Sequence, residues 1–411
     1  MLTNYGHLTY CTNIHAGESW ADHFKALQDN FPAIKLAVSP TQPMGMGLRL
    51  SNEASLELEK EANLSVFRQW LADNDTYVFT MNGFPYGGFH HTRVKDQVHA
   101  PDWTTRERVE YTMRLFNLLQ DLLPEGMDGG ISTSPLSYRR WSPSPQQTAQ
   151  IRETATLHII EVLLELVQWK LTTGKSLHLD IEPEPDGLLE TGLEFITWFG
   201  NDLLTAGIPL VTARFNVSPE AAKDLIRHHL RLCYDVCHFS IGYESAEEVI
   251  GQLAEKEIRI GKFQLSAALA GSLEGSSLEK EAVRQAFLNY QEGVYLHQVI
   301  ARTKEDEYVR YPDLPEALAD FDNPLVREWR AHFHVPLFAN NFGALSSTQE
   351  AVCEALRIQQ QQELTAHLEI ETYTWEVLPA ELKLPLQESI IRELQWVLDQ
   401  LPNPNGVSKL K

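Results

Sequence analysis

Three stretches of the chain end in a carboxylate after a short alternation of apolar and polar residues: Leu177-His178-Leu179-Asp180-Ile181-Glu182, Leu232-Cys233-Tyr234-Asp235 and His367-Leu368-Glu369-Ile370-Glu371. Alternate side chains of a strand share a face, so an outward set of Leu177, Leu179 and Ile181 turns His178, Asp180 and Glu182 inward. The same parity turns Asp235, Glu371 and, in Lys262-Phe263-Gln264-Leu265, Gln264 to the inner side. Three carboxylates meeting in one pocket repel and shift one another's pKa unless protons or a cation compensate, and a divalent metal does so economically. Oxygen ligands with an amide suit Mn²⁺ or Mg²⁺, and an added histidine extends the choice to Zn²⁺, Fe²⁺ or Co²⁺. His332-Phe333-His334 places two imidazoles on one side of an extended segment. With His238, which follows in Asp235-Val236-Cys237-His238, they form a possible three-histidine site with an open position for water or substrate.

Such residues need a scaffold that brings strand ends together. Strands are expected near residues 8–15, 46–51, 76–82, 129–134, 177–182, 231–236, 260–267 and 366–372. Amphipathic helical stretches lie between them: Ala54 to Asn74, Thr105 to Leu123, Ile151 to Leu171, Leu189 to Ala206, Pro219 to His229 and Ser346 to Gln362. Eight strands with intervening helices predict a (β/α)8 TIM barrel, an α/β fold whose strand ends surround the active site. A doubly wound sheet has fewer strands and a glycine-rich first turn, which this sequence lacks. The stretch from Gly271 to Trp329, helix-like over Leu278 to Tyr295 and then broken by Pro312, Pro315 and Pro324, reads as an enlarged loop after strand seven. One barrel domain is expected over 1–398, with a disordered tail over 399–411.

In this frame Glu182, Asp235, Gln264 and Glu371 reach one mouth, and His238, His332 and His334 join them as metal ligands. Glu182 and His238 are also the groups placed to move a proton. Asn13, His15, Asn82, Lys95 and Tyr138, at or after early strand ends, are expected to bind polar groups of a substrate. The plainer alternative makes the carboxylates rim salt bridges with arginines such as Arg214 or Arg302. Cys237 reads as a small buried residue rather than a reactive thiol, and His178 as a satisfied core histidine.

Composition narrows the partners. The 411 residues carry a formal charge of −22, against a nucleic-acid surface, which needs a basic footprint. With 43% hydrophobic residues there is ample material for a large core. Four scattered cysteines form no disulfide framework, the N-terminus lacks a secretion signal, and no run reaches the ~20 apolar residues of a membrane helix. A cytoplasmic protein with a small-molecule partner is expected.

The motifs just assembled resemble those of the xylose-isomerase-like barrel superfamily of sugar isomerases, ketose epimerases and endonuclease IV. Cys233-Tyr234-Asp235-Val236-Cys237-His238 resembles the Asp-Thr-Cys-His segment of endonuclease IV, which implies metal ligation by Asp235 and His238. Glu182 and Glu371 resemble the metal glutamates of strands five and eight, and His332-Phe333-His334 resembles an Asp-x-His pair. The chain departs from that pattern where Gln264 replaces the strand-seven histidine and where Asn82 and Ser132-Thr133-Ser134 replace other histidine ligands, against a full three-zinc centre.

Over most of its length the chain is also similar to the EboE family of bacterial metabolite traffic proteins. That resemblance rests on Tyr10-Cys11-Thr12-Asn13-Ile14-His15, Asn82-Gly83-Phe84-Pro85-Tyr86-Gly87, Val94-Lys95-Asp96-Gln97-Val98, Pro101-Asp102-Trp103 and His332-Phe333-His334-Val335-Pro336-Leu337. It implies a role in processing a secondary-metabolite precursor for export, with other pathway proteins as partners. The expected function is a metal-dependent isomerase, epimerase or hydrolase acting on a small oxygenated metabolite. The alternatives are a non-catalytic metabolite carrier or scaffold and, against the charge, a DNA-repair nuclease.

Overall fold

The computed structural model describes residues 1–89, 94–375, 378 and 383–401. In chain order its strands are β1 (Leu2–Thr3), β2 (Gly6–Tyr10), β3 (Met44–Arg49), β4 (Thr76–Asn82), β5 (Asp128–Thr133), β6 (Ser176–Ile181), β7 (Leu230–Asp235) and β8 (Ile260–Leu265). Then follow β9 (Ala267–Ser272), β10 (Val299–Thr303), β11 (Tyr308–Tyr311), β12 (Val326–Val335), β13 (Asn341–Phe342), β14 (Leu345–Ser347) and β15 (His367–Ile370). The first sheet runs β1-β2-β15-β8-β7-β6-β5-β4-β3, parallel from β2 onward. A parallel bridge between Cys11 and Gly47 links its two ends. Thr9 Oγ1 donates to the Gly45 carbonyl at 2.9 Å and accepts from the Gly47 N–H at 3.1 Å, replacing ladder bonds at this seam. The eight strands β2–β8 and β15 are the (β/α)8 barrel that the sequence predicts.

Helices between strands have local causes. Pro145–Thr173 starts where Ser144 accepts from the Gln147 N–H, carries proline in its first turn, and stops at Gly174 with φ +76°. Its Ile159, Leu163 and Leu166 share one core with the outward Leu177, Leu179 and Ile181 of β6. The expected helix over 54–74 is two, Asn52–Leu58 and Glu61–Asp73, because the backbone turns extended at Lys60.

The barrel interior is ionic as well as apolar. Lys262 Nζ donates to Glu369 Oε2 at 2.6 Å, both fully buried. Glycines make room for these side chains: a Cβ on Gly47 would stand 1.9 Å from Glu369 Oε1, and one on Gly261 would stand 1.9 Å from Asp180 Oδ1. Although burial opposes the Lys262 charge, Glu369 outweighs it and moves the ammonium pKa upward.

The enlarged connection expected after strand seven is present, and it is folded as a second, antiparallel sheet, ordered β11-β10-β12-β9-β14-β13. Its strands form because Trp329, Ala331 and Phe333 alternate along β12 and bury themselves in the core with Phe287 of helix Ser277–Asn289. The prolines that suggested a loop punctuate elements: Pro312 follows β11, Pro315 opens helix Leu314–Ala319, and Pro324 precedes β12. Helix Leu386–Gln400 passes residue 399, so the tail does not begin there, and 402–411 lie outside the described residues. No helix among the described residues is long and apolar enough to cross a membrane.

Candidate metal centre

The mouth is assembled from strand ends. Asp235 is the last residue of β7 and caps helix Val236–Ile241, accepting from the His238 N–H at 3.1 Å. That turn carries His238 over the barrel. Glu182 follows β6, Glu371 follows β15, and Gln264 lies in β8. β9 continues almost directly from β8 and pairs with β12, whose register shifts between Ala331 and Val335. His332 and His334 sit in that irregular stretch and face the mouth, while Phe333 turns away and stacks on His297 at 3.7 Å.

The three histidines form one cluster, linked through His332. His332 Nε2 lies 3.1 Å from His238 Nε2 and 3.2 Å from His334 Nε2. Their other nitrogens are committed to oxygens: His238 Nδ1 to the Pro183 carbonyl at 3.0 Å, His334 Nδ1 to the Glu371 carbonyl at 2.9 Å, and His332 Nδ1 to Gln298 Oε1 at 2.8 Å. Gln298 is itself oriented, because its Nε2 donates to the Pro185 carbonyl at 2.9 Å. A carbonyl only accepts, so each Nδ1 carries a hydrogen and, in the neutral ring, each Nε2 presents a lone pair. Lone pairs so close are answered by a shared proton or by a metal ion, and imidazoles on a tetrahedral ion with ~2.05 Å bonds stand roughly 3.3 Å apart, close to the spacing here. Burial drives the His332 pKa well below its ordinary value and His334 down to about 4, so both rings are neutral at pH 7. Asp235 and Glu184 offer further ligands, Asp235 with His238 and His334, and Glu184 with His238 and His332.

The carboxylates make a different arrangement. Gln264 Nε2 lies 2.9 Å from Glu182 Oε1, 3.0 Å from Asp235 Oδ2 and 2.6 Å from Glu371 Oε2. Glu371 Oε1 accepts from both Asn13 and Asn82 at 2.8 Å. Burial, then the charges of neighbouring carboxylates, pushes Glu182 and Glu371 well above the ordinary carboxyl range. Asp235 moves the other way: burial raises it, but His238, His334 and the Ser266 hydroxyl at 2.7 Å lower it further. Glu182, Asp235 and Glu371 meet the spacing of a metal set, yet the Gln264 amide stands among them as a donor and gives its oxygen to the Cys233 thiol at 3.1 Å. As a ligand, Gln264 would have to turn its oxygen inward.

A cavity of about 50 Å³ opens on these groups, lined among others by Glu182, Glu184, His238, His332, Glu371 and Tyr373. It is roomy enough for an ion with one or two waters. Asn82 lines it too. Lys95 lines an adjoining cavity of about 50 Å³ and bonds Asp313 at 2.6 Å. His15 meets the Tyr10 hydroxyl at 3.0 Å and does not line the cavity, and Tyr138 packs on His99. Cys237 is buried beside Ile241, Ala268 and Ile300, as its packing role requires. The sequence reading misses Glu184, which stands 2.8 Å from His99 Nε2, and Tyr373, whose ring lies 4.6 Å from His334. The alternation Glu182-Pro183-Glu184 carried the first signal, since the second carboxylate shares the parity of the first.

No protein-family model matches this chain, and no curated protein matches its sequence. Among solved structures it is similar to a xylose isomerase-like TIM barrel protein from Mycobacterium smegmatis, in complex with magnesium, with 10% identity over 98% of each chain and a TM-score of 0.49. It is also similar to the probable 3-DHS dehydratase AsbF from Bacillus anthracis, with 10% identity over 97% of this chain and 100% of that one and a TM-score of 0.48. A xylose isomerase domain containing protein from Salmonella typhimurium shows 12% identity over 98% of this chain and 99% of its own, with a TM-score of 0.43. The assignment as a (β/α)8 barrel rests on the sheet described above.

Proposed function

We propose that this chain is a metal-dependent barrel enzyme of the xylose-isomerase-like type, acting on a small oxygenated metabolite by isomerase, epimerase or hydrolase chemistry. The observation that carries the reading is the convergence of three imidazole Nε2 atoms whose Nδ1 hydrogens are all committed elsewhere. His238, His332 and His334 hold the ion, with Asp235 or Glu184 completing a four-coordinate set. Bound there, a zinc-like cation supplies Lewis acidity toward a substrate oxygen and lowers the pKa of water. Glu182 is the proton carrier: burial and the neighbouring carboxylates raise its pKa well above the ordinary carboxyl range, it lines the cavity, and its Oε2 has no hydrogen-bond partner among the described residues. His238, engaged as a ligand, gives up the proton-transfer role its sequence position suggests. Asn13 and Asn82 position Glu371, and Lys95 guards the adjoining chamber. The resemblance to EboE proteins extends the proposal to a cytoplasmic step of secondary-metabolite processing and export.

A second reading, a non-catalytic metabolite binder or scaffold of that pathway, draws on one observation: amide donors from Gln264, Asn13 and Asn82 saturate Glu371. Metal analysis of protein loaded with Zn²⁺, Co²⁺ or Mn²⁺ tests the metal. We expect an equivalent lost in the His332→Ala/His334→Ala chain, with affinity falling by more than the ~100-fold that outer-sphere partners contribute. No stoichiometric uptake by the folded wild type would overturn it. Turnover abolished by Glu182→Gln with metal content unchanged separates enzyme from binder.

A further inference from the structure

Ionisable residues also gather at the opposite end of the barrel, where strands begin. Asp128 opens β5, His367 opens β15, and His178 lies in β6 opposite Gly130. Each offers one ligand atom, and these atoms lie within 4.8 Å of one another. His178 and His367 are 0% and 1% exposed.

Hydrogen bonds sort the protons. His178 Nδ1 lies 2.6 Å from Asp180 Oδ1, leaving Nε2 without a hydrogen-bond partner among the described residues. His367 Nε2 lies 3.1 Å from the Asp128 carbonyl, to which it can only donate, so Nδ1 carries the lone pair and also lacks a partner. Asp128 Oδ2 accepts from Arg231 at 2.8 Å, and Oδ1 has none. Among the described residues, each of the three therefore keeps one buried, unpartnered ligand atom, two nitrogens and a carboxylate oxygen.

A proton on His178 Nε2 answers this poorly. The facing Asp128 Oδ2 is 3.4 Å away, beyond the about 2.7–2.9 Å of a charge-assisted bond, and is already taken by Arg231. His367 Nδ1 and Asp128 Oδ1 would stay unsatisfied. A divalent ion would take one ligand atom from each residue, these lying within 4.8 Å of one another, and Asp180 behind His178 would then have the place of the carboxylate that orients a ligating imidazole.

We propose that Asp128, His178 and His367 form a second metal site, distinct from the mouth, for a zinc-like divalent transition ion. Two imidazole nitrogens and one carboxylate oxygen suit Zn²⁺, Co²⁺ or Fe²⁺ better than Mg²⁺ or Ca²⁺. The site lies at the end of the barrel that serves stability, so the ion is structural. It ties β5 and β6 to β15 across the interior.

The test is Co²⁺ titration of the full chain, read by visible absorption and by bound metal. The proposal predicts one equivalent retained in the His332→Ala/His334→Ala chain, with tetrahedral Co²⁺ bands, and lost on adding His367→Ala. Asp128→Asn, at a half-buried strand start, should also remove it, and it covers a His367 variant that fails to fold. Co²⁺ should raise the thermal midpoint of the mouth-disabled chain and leave that of the further substituted chain unchanged. Two equivalents in wild type and one in the mouth-disabled chain support both sites. One in each supports this site and sinks the mouth reading. One in wild type and none in the folded mouth-disabled chain overturns this proposal alone.

Discussion

Two clusters share the barrel mouth and answer crowding in opposite ways. In the histidine cluster every N–H points outward to an oxygen, from Pro183, Gln298 or Glu371, and the centre holds only lone pairs. In the carboxylate cluster the centre holds an N–H donor, the Gln264 amide, within 3.0 Å of all three acids. An amide has two hydrogens and three claimants, and burial with the neighbouring carboxylates raises Glu182 and Glu371 well above the ordinary carboxyl range. The direction of the hydrogens, more than the number of ligand-type residues, separates a place ready for an ion from a place already occupied by hydrogen bonds.

The comparison breaks most readily at Gln264. Gln264→Leu leaves the acids without their central donor and should cost about 3 kcal/mol in denaturant unfolding, with Mn²⁺ restoring part of it. A variant as stable as wild type would show that the amide is dispensable. Next comes Gln298→Leu, which frees the His332 ring to change tautomer and should weaken metal binding about 10- to 100-fold by titration, with the fold unchanged. Equal affinity would mean that the outward hydrogens do not prepare the cluster.

Glu393 supplies a reference for burial without a cation. It accepts from the Leu337 N–H at 3.0 Å and the Thr372 hydroxyl at 2.7 Å, and burial pushes it up to about 8. Its folded pKa exceeds its unfolded one, so the unfolded chain loses this proton first and stability falls as pH rises from about 4.5 to 8. Glu393→Gln should therefore melt a few degrees higher than wild type at pH 8.5 and equally at pH 4. The smallest effect is a proton count. Burial lowers His332 well below its ordinary value and His334 to about 4, so calorimetry at pH 6.5 in buffers of different ionisation enthalpy should show no proton released from them on Zn²⁺ binding. Release of about one proton or more per ring would contradict their lowered pKa values.

Much of this was legible in the sequence. The parity of β6, β7, β8 and β15 places Glu182, Asp235, Gln264 and Glu371 correctly, because a barrel strand buries both faces and polar residues survive only where something inside answers them. The i, i+2 spacing of His332 and His334 likewise gives their common face. The sheet that carries them was not legible, because Pro312, Pro315 and Pro324 punctuate short elements that together look like a loop. Nor was the order of the two clusters. Carboxylates at three strand ends attract attention by type, whereas the readiness of the histidines depends on carbonyls of Pro183 and Glu371 and an amide at position 298, none of which announces itself in a sequence. The network of Lys262 with Glu369 went unread for a similar reason: parity turns both inward, but only the structure shows that they meet.

His332 and His334 belong to the antiparallel sheet, and His238 belongs to the barrel. An ion shared among them, as proposed, would fasten one to the other like a clasp, and its binding free energy would add to the docking of the sheet as RT ln(1 + [M]/Kd). Under the proposed metal reading, the attachment of that sheet at the mouth would follow the concentration of free metal around the protein, so that withholding the ion would loosen the sheet as well as empty the site.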